Sequence, residues 1–586
     1  MKKIGLKSLI AVVLSLPYLL GNNLSAKADY IHQTLAEYSG TIMEFRIEKQ
    51  QVTIILEIDE KDKKVFSDLL AENNNSVQEA KFLQTNNQQP LVGEIKKIET
   101  RRRTPRGNRN SLPTTDLMGK PLNIPKVSPY VTYVEIIYPL TNQPDQLILS
   151  PPLEPNKKYP AITIGFITFH DKIPVTNYWY LSRPETLNLN WEDPWYSRFE
   201  NRNLTRPHPS SLLSYVYIEP YEVRHEILIR IRDLADFIDL DITKLKYFKA
   251  DDLASIEKQA ITYFEQQPQM TIDGNIVTPL VNKVNFLEVD QKGVFQVVQN
   301  PQELELNSAI IGINLVYPVE NFANKVSINW DMFNEKITTI PTITTDPAGP
   351  FPYNLTPDDR VLAWKNSLTN YVIPQVQYLP VANQFNLPLG LLIFIILSIS
   401  SSIIILKNKE VNKPTPKYYY VIPIFFLLVG IGSYPFSQIK LGKPQFILGK
   451  VSEQEAQFIF NHLLKNIYRA FDFREQSDVY DKLAISLEGD LLTDIYLQTN
   501  KSMELENQGG AVATVKNVEI TEVKKEASSS EGKVAFRTKW IAEGTLEHWG
   551  HSHNRQNQYD AILTISPVND VWKITDIELL EETRIK

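Results

Sequence analysis

Three of the 8 histidines in the chain fall within a short segment near its C-terminus. They are His548, His551 and His553, in the segment EHWGHSH. Imidazole nitrogens bind zinc, copper and nickel, and three of them close together could hold one such ion. The same side chains could instead serve acid–base or ligand-binding chemistry, or form a hydrogen-bonded cluster at a strand end. The H-x-x-H-x-H spacing is not a family signature, so all three interpretations stay open.

A strand is the element that would position these histidines. His551 and His553 are two residues apart, so in a strand they share one face with Arg555 and Tyr559. Because that face could line a pocket, Arg555 and Tyr559 are candidate ligand-binding residues. In an enzyme, His551 or His553 would act as a base, with Asp478 or Tyr559 as its partner.

The aromatic segment NWEDPWYSRFENRN is a second candidate ligand surface. Its tryptophans, Trp191 and Trp195, lie beside acidic and basic residues, and aromatic side chains often dominate recognition surfaces. Core packing next to a tight Asp-Pro turn explains the same segment without a ligand.

Arg101, Arg102 and Arg103 form a basic cluster in a polar stretch rich in Pro and Asn. Such a cluster could bind anionic lipid headgroups or an acidic partner. A solvated surface loop is the alternative.

Composition and missing motifs restrict the function further. The net charge of -7 argues against nucleic acid as the main partner. The chain has no cysteine, which excludes thiolate metal sites, iron–sulfur clusters and cysteine nucleophiles. The sequence contains no Walker loop, dinucleotide fingerprint, zincin motif or nucleophile elbow. We therefore assign no catalytic residue and expect no cofactor beyond a zinc, copper or nickel ion at the histidines.

Two uncharged apolar runs, at residues 388–406 and 418–436, predict a transmembrane helical hairpin over residues 386–437. Each run is about 19 residues long, close to what a helix needs to cross the hydrocarbon core of a bilayer. The basic loop KNKEVNKPTPK separates them. Two buried core helices of a soluble protein would be the alternative, but their flanking charges argue against it.

The N-terminus predicts a secretory signal peptide over residues 1–28. Lysines precede an apolar run, and Ala26-Lys27-Ala28 matches the A-x-A cleavage pattern. An uncleaved N-terminal anchor is the alternative. Export of the N-terminal part would leave the lysine-rich loop in the cytoplasm, as the positive-inside rule expects. We therefore predict a two-span protein of a bacterial cell or inner membrane, with its N- and C-terminal domains extracytoplasmic.

Residues 29–205 and 206–381 share landmarks in the same order, which predicts two copies of one domain. For example, VEIIYPLTN at residues 134–142 recurs as INLVYPVEN at residues 313–321. Alternating apolar residues predict sandwich-like, mainly β domains. Along residues 222–232 the charged side chains fall on the opposite face from the apolar ones, as in a strand with one side buried. Each copy should carry one helical insert, at residues 61–73 and 251–267.

Residues 445–586 change character, from helices to strands. Ser452 and Glu455 form a capping-box pattern, and a helical stripe follows. Two further helices precede strands expected at residues 511–523, 533–544, 558–566 and 571–579. A hairpin turn is expected at Asn569-Asp570.

Helices followed by a curved antiparallel sheet resemble the NTF2-like α+β fold. That resemblance implies a binding module, an assembly platform or, less often, an enzyme. The segments YRAFDFREQSDVYDKLA and EHWGHSHNRQNQYDA also resemble stretches of uncharacterised bacterial two-span membrane proteins, which implies no function.

These observations predict a multidomain chain of two duplicated β domains, a membrane hairpin and an NTF2-like domain. We expect a membrane-anchored extracytoplasmic binding or assembly protein, with an envelope protein as partner and without catalysis. The alternatives are a metal-handling protein that uses the C-terminal histidines and an enzyme with a pocket in the NTF2-like domain.

Overall fold

The computed structural model describes most of the 586-residue chain. The residues described are 27–29, 34–71, 76–77, 82–85, 91–106, 120, 127–154, 159–206, 210–289, 294–381, 384–410, 416–442, 451–473, 476–507, 512–526 and 533–585. Most of the predicted signal peptide, residues 1–26, therefore lies outside the described residues.

The first β-rich domain is a sandwich of two sheets. Its strands are β2 Thr41–Ile47, β3 Gln51–Ile58, β4 Ser76–Val77, β5 Leu83–Thr85, β6 Gly93–Arg102, β7 Tyr130–Pro139, β8 Gln146–Leu149, β9 Ile164–His170, β10 Ile173–Pro174, β11 Trp179–Leu181, β12 Glu185–Asn188 and β13 Arg198–Phe199, preceded by β1 Lys27–Asp29. The large sheet has the order β10-β9-β2-β3-β7-β6-β4, and β11 also pairs with β9. The small sheet has the order β13-β12-β8-β5. Apolar side chains from both sheets, such as Phe45, Ile54 and Leu147, pack between them.

The second β-rich domain has the same layered arrangement. Its strands are β14 Leu212–Ile218, β15 Glu222–Arg230, β16 Tyr247–Lys249, β17 Gln269–Ile272, β18 Asn275–Val277, β19 Leu280–Val289, β20 Val294–Val297, β21 Glu303–Glu305, β22 Ala309–Pro318, β23 Lys325–Asn329, β24 Ile340–Asp346, β25 Gly349–Leu355 and β26 Val361–Lys365. The large sheet has the order β1-β20-β19-β22-β15-β14-β24-β25. The small sheet has the order β18-β17-β23-β26, and β16 pairs with β21.

The two large sheets share an order of pairing. The order β9-β2-β3-β7-β6 in the first domain corresponds to β24-β14-β15-β22-β19 in the second. In each, one pair is parallel, β2 with β9 and β14 with β24. A register irregularity also falls at the same place, in β6 and in β19.

The predicted helical inserts have different outcomes. The second is present as an α-helix, Ala250–Phe264, whose Leu253, Ile256 and Ala260 are buried at helical spacing. The first is a 3-10 helix, Glu60–Phe66, rather than a longer helix. The reason is local, because Asp59 caps the segment through its carboxylate and Phe66 is the one buried side chain in it.

Helices of the chain are numbered in order. They are α1 Ile231–Leu234, α2 Ala250–Phe264, α3 Leu389–Glu410, α4 Val421–Ser433, α5 Glu453–Arg469, α6 Gln476–Ala484 and α7 Asp490–Asn507. Short 3-10 helices occur at Ala36–Tyr38, Pro194–Tyr196, Lys417–Tyr420 and Ala470–Asp472.

Among the residues that the structure describes, one helix is long and apolar enough to cross a membrane. It covers Leu389–Lys407 within α3, while α4 is apolar but shorter. Helices α3 and α4 pack together, and Gly430 allows this because a Cβ there would lie 2.9 Å from Cβ of Phe394. Strands β27 Gln384–Pro388 and β28 Gln438–Gly442 pair antiparallel at the ends of the two helices. The start of α3 and the end of α4 therefore lie side by side.

The C-terminal domain places helices α5 to α7 against a four-stranded sheet. Its strands are β29 Val512–Lys525, β30 Val534–His548, β31 His551–Val568 and β32 Val571–Arg584, in sequence order. Ser452 caps α5 by accepting from the N–H of Glu455, as its capping-box pattern predicts. The turn predicted at Asn569-Asp570 is present between β31 and β32. Strands β30 and β31 are longer than predicted.

The linker after β26, residues 366–381, leads towards helix α3 and contacts the C-terminal domain at its end. Pro380 forms a bridge with Val571, and the N–H of Val381 donates to the carbonyl of Asp570 at 2.8 Å. Because β27 begins three residues after Val381, the β31–β32 turn is the end of the sheet nearest α3.

Candidate functional site

The opposite end of the sheet, the β30–β31 turn, docks on the second β-rich domain. Trp549 and Gly550 form this two-residue turn with φ of 45° and 79°. Positive φ at both positions matches the twist of the flanking strands and suits glycine better than tryptophan. Trp549 is nevertheless 1% exposed, because its ring is inserted between the two domains.

Two close approaches seat the turn on the outer face of the large sheet. A Cβ at Gly312 would lie 2.4 Å from the Trp549 indole, so only glycine lets the ring lie on β22. A Cβ at Gly550 would lie 2.1 Å from the ring of Tyr215 on β14. The turn therefore crosses the sheet from β22 towards β14 in direct contact.

Hydrogen bonds from the turn reach two buried side chains of the sheet. The N–H of Trp549 donates to Oε2 of Glu226 at 2.7 Å, and the N–H of Gly550 donates to the Tyr217 hydroxyl at 3.0 Å. Both acceptors are buried. The turn donors are thus satisfied by the neighbouring domain, as buried backbone groups require.

Arg224 is the cation that pairs with the carboxylates at this interface. Its guanidinium lies 3.1 Å from Glu222, 3.2 Å from Glu226 and 3.4 Å from Glu547 of the C-terminal domain. It also lies 4.2 Å from the centre of the Tyr217 ring. Glu222, Arg224 and Glu226 are each at most 1% exposed.

This burial corrects the prediction that one face of β15 meets solvent. The alternation is present, but every residue of β15 is buried. Val223, Ile227 and Ile229 pack in the sandwich core, while the charged residues on the other face are covered by the neighbouring domains and form ion pairs. Alternation of apolar and charged residues shows which residues share a face of the strand. It does not show whether solvent or another domain covers that face.

Burial shifts the pKa of the two groups that meet the turn. Burial raises the pKa of Glu226 to about 7, although the charge of Arg224 and the Trp549 N–H act in the opposite direction. Burial and the nearby Glu226 raise the pKa of Tyr217 well above its ordinary value. Tyr217 is therefore a neutral acceptor for Gly550.

The aromatic segment predicted as a ligand surface lies between the two β-rich domains. Trp195 is 2% exposed and its ring lies 4.7 Å from the guanidinium of Arg230 on β15. Arg230 also pairs with Asp193 at 2.8 Å and with Asp233 at 3.1 Å. Trp191 donates to the carbonyl of Pro144 at 2.8 Å. Trp195 is therefore buried in this packing, and the ligand surface stays a prediction.

A cleft of about 670 Å³ opens beside the docked turn, between the second β-rich domain and the C-terminal domain. Its floor is the outer face of the large sheet, at Tyr217, Ile343 and Thr345. The linker contributes Tyr371 and Pro374. The remaining lining residues are Ile218, Glu219, Pro220, Asp346, Pro347, Ala348, Gly349, Pro350, Arg469, Asp472, Thr514, Val515, Lys516, Thr545, Glu547 and Gly550.

The lining combines apolar surface with an excess of negative charge. Tyrosines, prolines and Ile343 provide the apolar part. The carboxylates of Glu219, Asp346, Asp472 and Glu547 outnumber the cations in the lining, which are Arg469 and Lys516. The volume is in the range of ligand pockets, about 300 to 1,000 Å³.

The backbone brings the three predicted histidines to one place, next to this cleft. His548 and His551 are Cα partners across the turn, and His553 pairs with Leu546. Their side chains lie outside what the structure describes. Among the described residues no group of three or more His, Asp or Glu could hold a metal ion, so the metal site stays a prediction.

Other predicted site residues on the same strand are buried. Tyr559 is 1% exposed and stacks on Trp540 at 5.1 Å between ring centres. Arg555 is 7% exposed, and its Nε and Nη1 make no hydrogen bond to the described residues. Burial, with the nearby Arg584, lowers the pKa of Arg555. Asp478 is exposed on α6 and lines a different cleft, so Tyr559 and Asp478 do not form one open site.

Ion pairs occupy most of the predicted arginine cluster. Arg101 lies 3.2 Å from Glu57, and Arg103 lies 3.0 Å from Asp59, both buried carboxylates of the first domain. Arg102 is exposed. The Arg101 side chain is also 36% exposed, and a lipid or acidic-partner site at this cluster stays a prediction.

The residues of the cleft and of the docked turn were not found from the sequence. Glu226, Arg224 and Gly312 come from the second domain, whereas Trp549 lies more than two hundred residues away. The Trp-Gly pair between two alternating segments resembles a two-residue turn, which is the one local signal available. Nothing local indicates where that turn docks.

Comparisons with known proteins give little. No protein-family model matches the chain, and no curated protein matches it. Among solved structures, the chain is similar to the one titled "Crystal structure of intermembrane space region of chloroplast protein ARC6". That similarity has 19% identity, covers 22% of this chain and 98% of the other, and has a TM-score of 0.18.

Proposed function

We propose that this chain is a membrane-anchored extracytoplasmic binding or assembly protein that holds an envelope partner in the cleft. The observation that carries the proposal is the cleft of about 670 Å³ whose walls come from two domains. The docked turn fixes those walls relative to each other through Glu226 and Tyr217. Such preorganisation lowers the entropy cost of binding.

Membrane anchoring through two spans is part of the proposal. The 19-residue helix Leu389–Lys407 supports one span. Helix α4, preceded by the 3-10 turn Lys417–Tyr420, would provide the return. The β27–β28 ribbon supports the hairpin because it joins the two ends that would leave the membrane on the same side. The lysine-rich loop would then face the cytoplasm.

We also infer that the two β-rich domains arose by duplication and that the C-terminal domain is NTF2-like. The common pairing order, with one parallel pair in each large sheet, supports the first inference. Three helices followed by a meander of long strands support the second. In this proposal all three domains are assembly modules rather than catalysts.

Metal handling by His548, His551 and His553 is a second proposal. The register that pairs His548 with His551 and leaves His553 two residues further favours it. Titration of the full chain with zinc, copper and nickel tests it. Tight binding that is lost in the triple His→Ala variant would support a site, and binding that survives those substitutions would exclude it.

Photo-crosslinking in the native membrane tests the main proposal. A photoreactive residue at Ile343, on the cleft floor, should form a discrete covalent adduct. The same residue at Tyr159, 71% exposed on the first domain, is the control and should not form that adduct. Ala348→Trp in the same lining should reduce the adduct, because the larger side chain fills the cleft. An adduct at Tyr159 but none at Ile343, or one indifferent to Ala348→Trp, would contradict the proposal.

A further inference from the structure

The cleft meets strand β29 along its edge. Thr514, Val515 and Lys516 are consecutive, and all three line the cleft. Thr514 and Val515 point to opposite faces of the strand and both reach the cleft, as expected at a strand edge, while the register irregularity between Val515 and Asn517 interrupts the alternation at Lys516. Strand β29 is the terminal strand in the order β29-β30-β31-β32, so within the described residues no strand of this sheet pairs with its other edge.

The backbone groups on that edge can be assigned. A Cβ at Gly544 would lie 2.7 Å from the carbonyl oxygen of Thr514, so Thr514 turns its carbonyl towards β30. In an antiparallel strand the backbone groups of alternate residues point to opposite edges. The carbonyl of Thr514 and the N–H of Val515 belong to one trans peptide and point in opposite directions, so the N–H of Val515 faces away from β30, towards the cleft. Among the described residues no backbone hydrogen bond outside the sheet reaches Val515.

Further along β29 the same edge is covered. The side-chain amide of Gln457 on α5 approaches the carbonyl of Ile520 at 3.5 Å, and Glu453 accepts from the N–H of Lys525 at 3.1 Å. The register irregularity between Val515 and Asn517 separates the covered part from the open part. The open edge is thus confined to the part of the strand that borders the cleft.

We propose, on the basis of the proposed function, that the cleft binds an extended peptide segment of net positive charge that adds a strand to β29 at Val515. Strand addition provides backbone hydrogen bonds, while pockets beside the strand select alternate side chains. Ile343, Tyr217 and Tyr371 provide an apolar floor for one set of side chains. The four carboxylates of the lining outnumber its two cations, which favours basic side chains in the other set.

A peptide-display selection on the full chain in nanodiscs tests this inference. The probes are random twelve-residue peptides, and the enriched ones should be net positive with alternating apolar residues. Val515→Pro removes the N–H of an edge residue, a position where proline is tolerated, whereas Val515→Thr keeps it. Binding of the enriched peptides should weaken about tenfold or more in Val515→Pro and change little in Val515→Thr.

Amide hydrogen exchange gives a second readout that does not depend on a variant. Bound peptide should slow exchange in the segment around Val515 of the unsubstituted chain. Enriched peptides that bind Val515→Pro unchanged, or that leave this exchange unaltered, would overturn strand addition, and net-negative peptides would overturn the charge argument. A crosslinked adduct at Ile343 without any enriched peptide would refute this inference while leaving the proposed function standing.

Discussion

The backbone N–H of Trp549 donates a hydrogen bond to Oε2 of Glu226 across 2.7 Å, although 323 positions separate the two residues. This bond joins the far end of the C-terminal sheet to the second β-rich domain. It places a buried carboxylate directly beneath a turn whose indole lies against Gly312. The same junction forms one wall of the cleft, so the geometry of the cleft depends on it.

Because of Glu226, the docked state should depend on pH. Burial raises its pKa to about 7 from an ordinary value of 4.5, so between these pH values the folded chain binds the extra proton. This protonation of Glu226 therefore stabilises the folded chain fully below about pH 4.5. The stabilisation is lost as the pH rises through 7. Buried His170 and His225, whose pKa values burial lowers, change stability with pH in the opposite direction, so the Glu226 contribution is measured against a variant. In thermal unfolding of the full chain in nanodiscs, the stability of the unsubstituted chain relative to Glu226→Gln should fall from pH 5 to pH 8, whereas its stability relative to Glu303→Gln, at an exposed glutamate, should not.

Gly312→Ala should loosen the junction by displacing the Trp549 indole. The added Cβ would lie 2.4 Å from the ring, and overpacking of this kind costs about 1 to 3 kcal/mol. In a Trp549→Gly background the ring is absent and the turn keeps a residue suited to positive φ, so the same substitution should cost little. Chemical denaturation of the four combinations measures this coupling. An equal loss of unfolding free energy in both backgrounds would show that the contact between residue 312 and the Trp549 ring does not contribute to stability.

Arg230 and Arg232 offer a matched pair at the junction of the two β-rich domains. Both contact Asp193, but the Arg230 side chain is 1% exposed and that of Arg232 is 22% exposed. Arg230→Ala leaves buried carboxylates without their partner and should cost about 3 to 5 kcal/mol. Arg232→Ala should cost less than about 1 kcal/mol. Denaturant titrations compare the two, and similar losses would mean that Arg230 is not buried as described.

The predicted arginine cluster also contains one ion-paired and one exposed arginine that can be compared. Arg103 pairs with buried Asp59 and donates to the carbonyl of Gly40 at 2.8 Å, whereas Arg102 is exposed. Arg103→Ala should therefore destabilise the first domain by about 3 to 5 kcal/mol. Arg102→Ala should stay within about 0.5 kcal/mol. Limited proteolysis of the full chain provides the comparison, and equal protease sensitivity of the two variants would count against the ion pair.

Local patterns predicted local structure well. The spacing of Leu253, Ile256 and Ala260 indicated helix α2, and the capping box at Ser452 marked the start of α5. The Asn569-Asp570 pair marked a turn. Each of these depends on residues a few positions apart, so the sequence carries the whole signal.

Contacts between segments that lie far apart in the chain could not be predicted from local sequence patterns. The charged residues of β15 predicted a solvent-exposed face, because nothing near Arg224 in the sequence indicates that Glu547 lies beside it. The sequence left both a ligand surface and core packing open for Trp195, and its partner Arg230 lies on another domain. The cleft is formed where two domains dock, so no motif within either domain predicts it.

Cysteine labelling tests the central claim, an extracytoplasmic cleft occupied by a partner, most directly. The chain has no cysteine, so a Lys516→Cys variant at the cleft carries a single reactive thiol. A Lys407→Cys variant at the far end of the membrane helix is its control. In sealed right-side-out vesicles, a membrane-impermeant maleimide should label Lys516→Cys, more slowly when a selected peptide is present. Lys407→Cys should react only after the vesicles are opened. Labelling of Lys516→Cys only after opening would place the cleft in the cytoplasm and contradict the account.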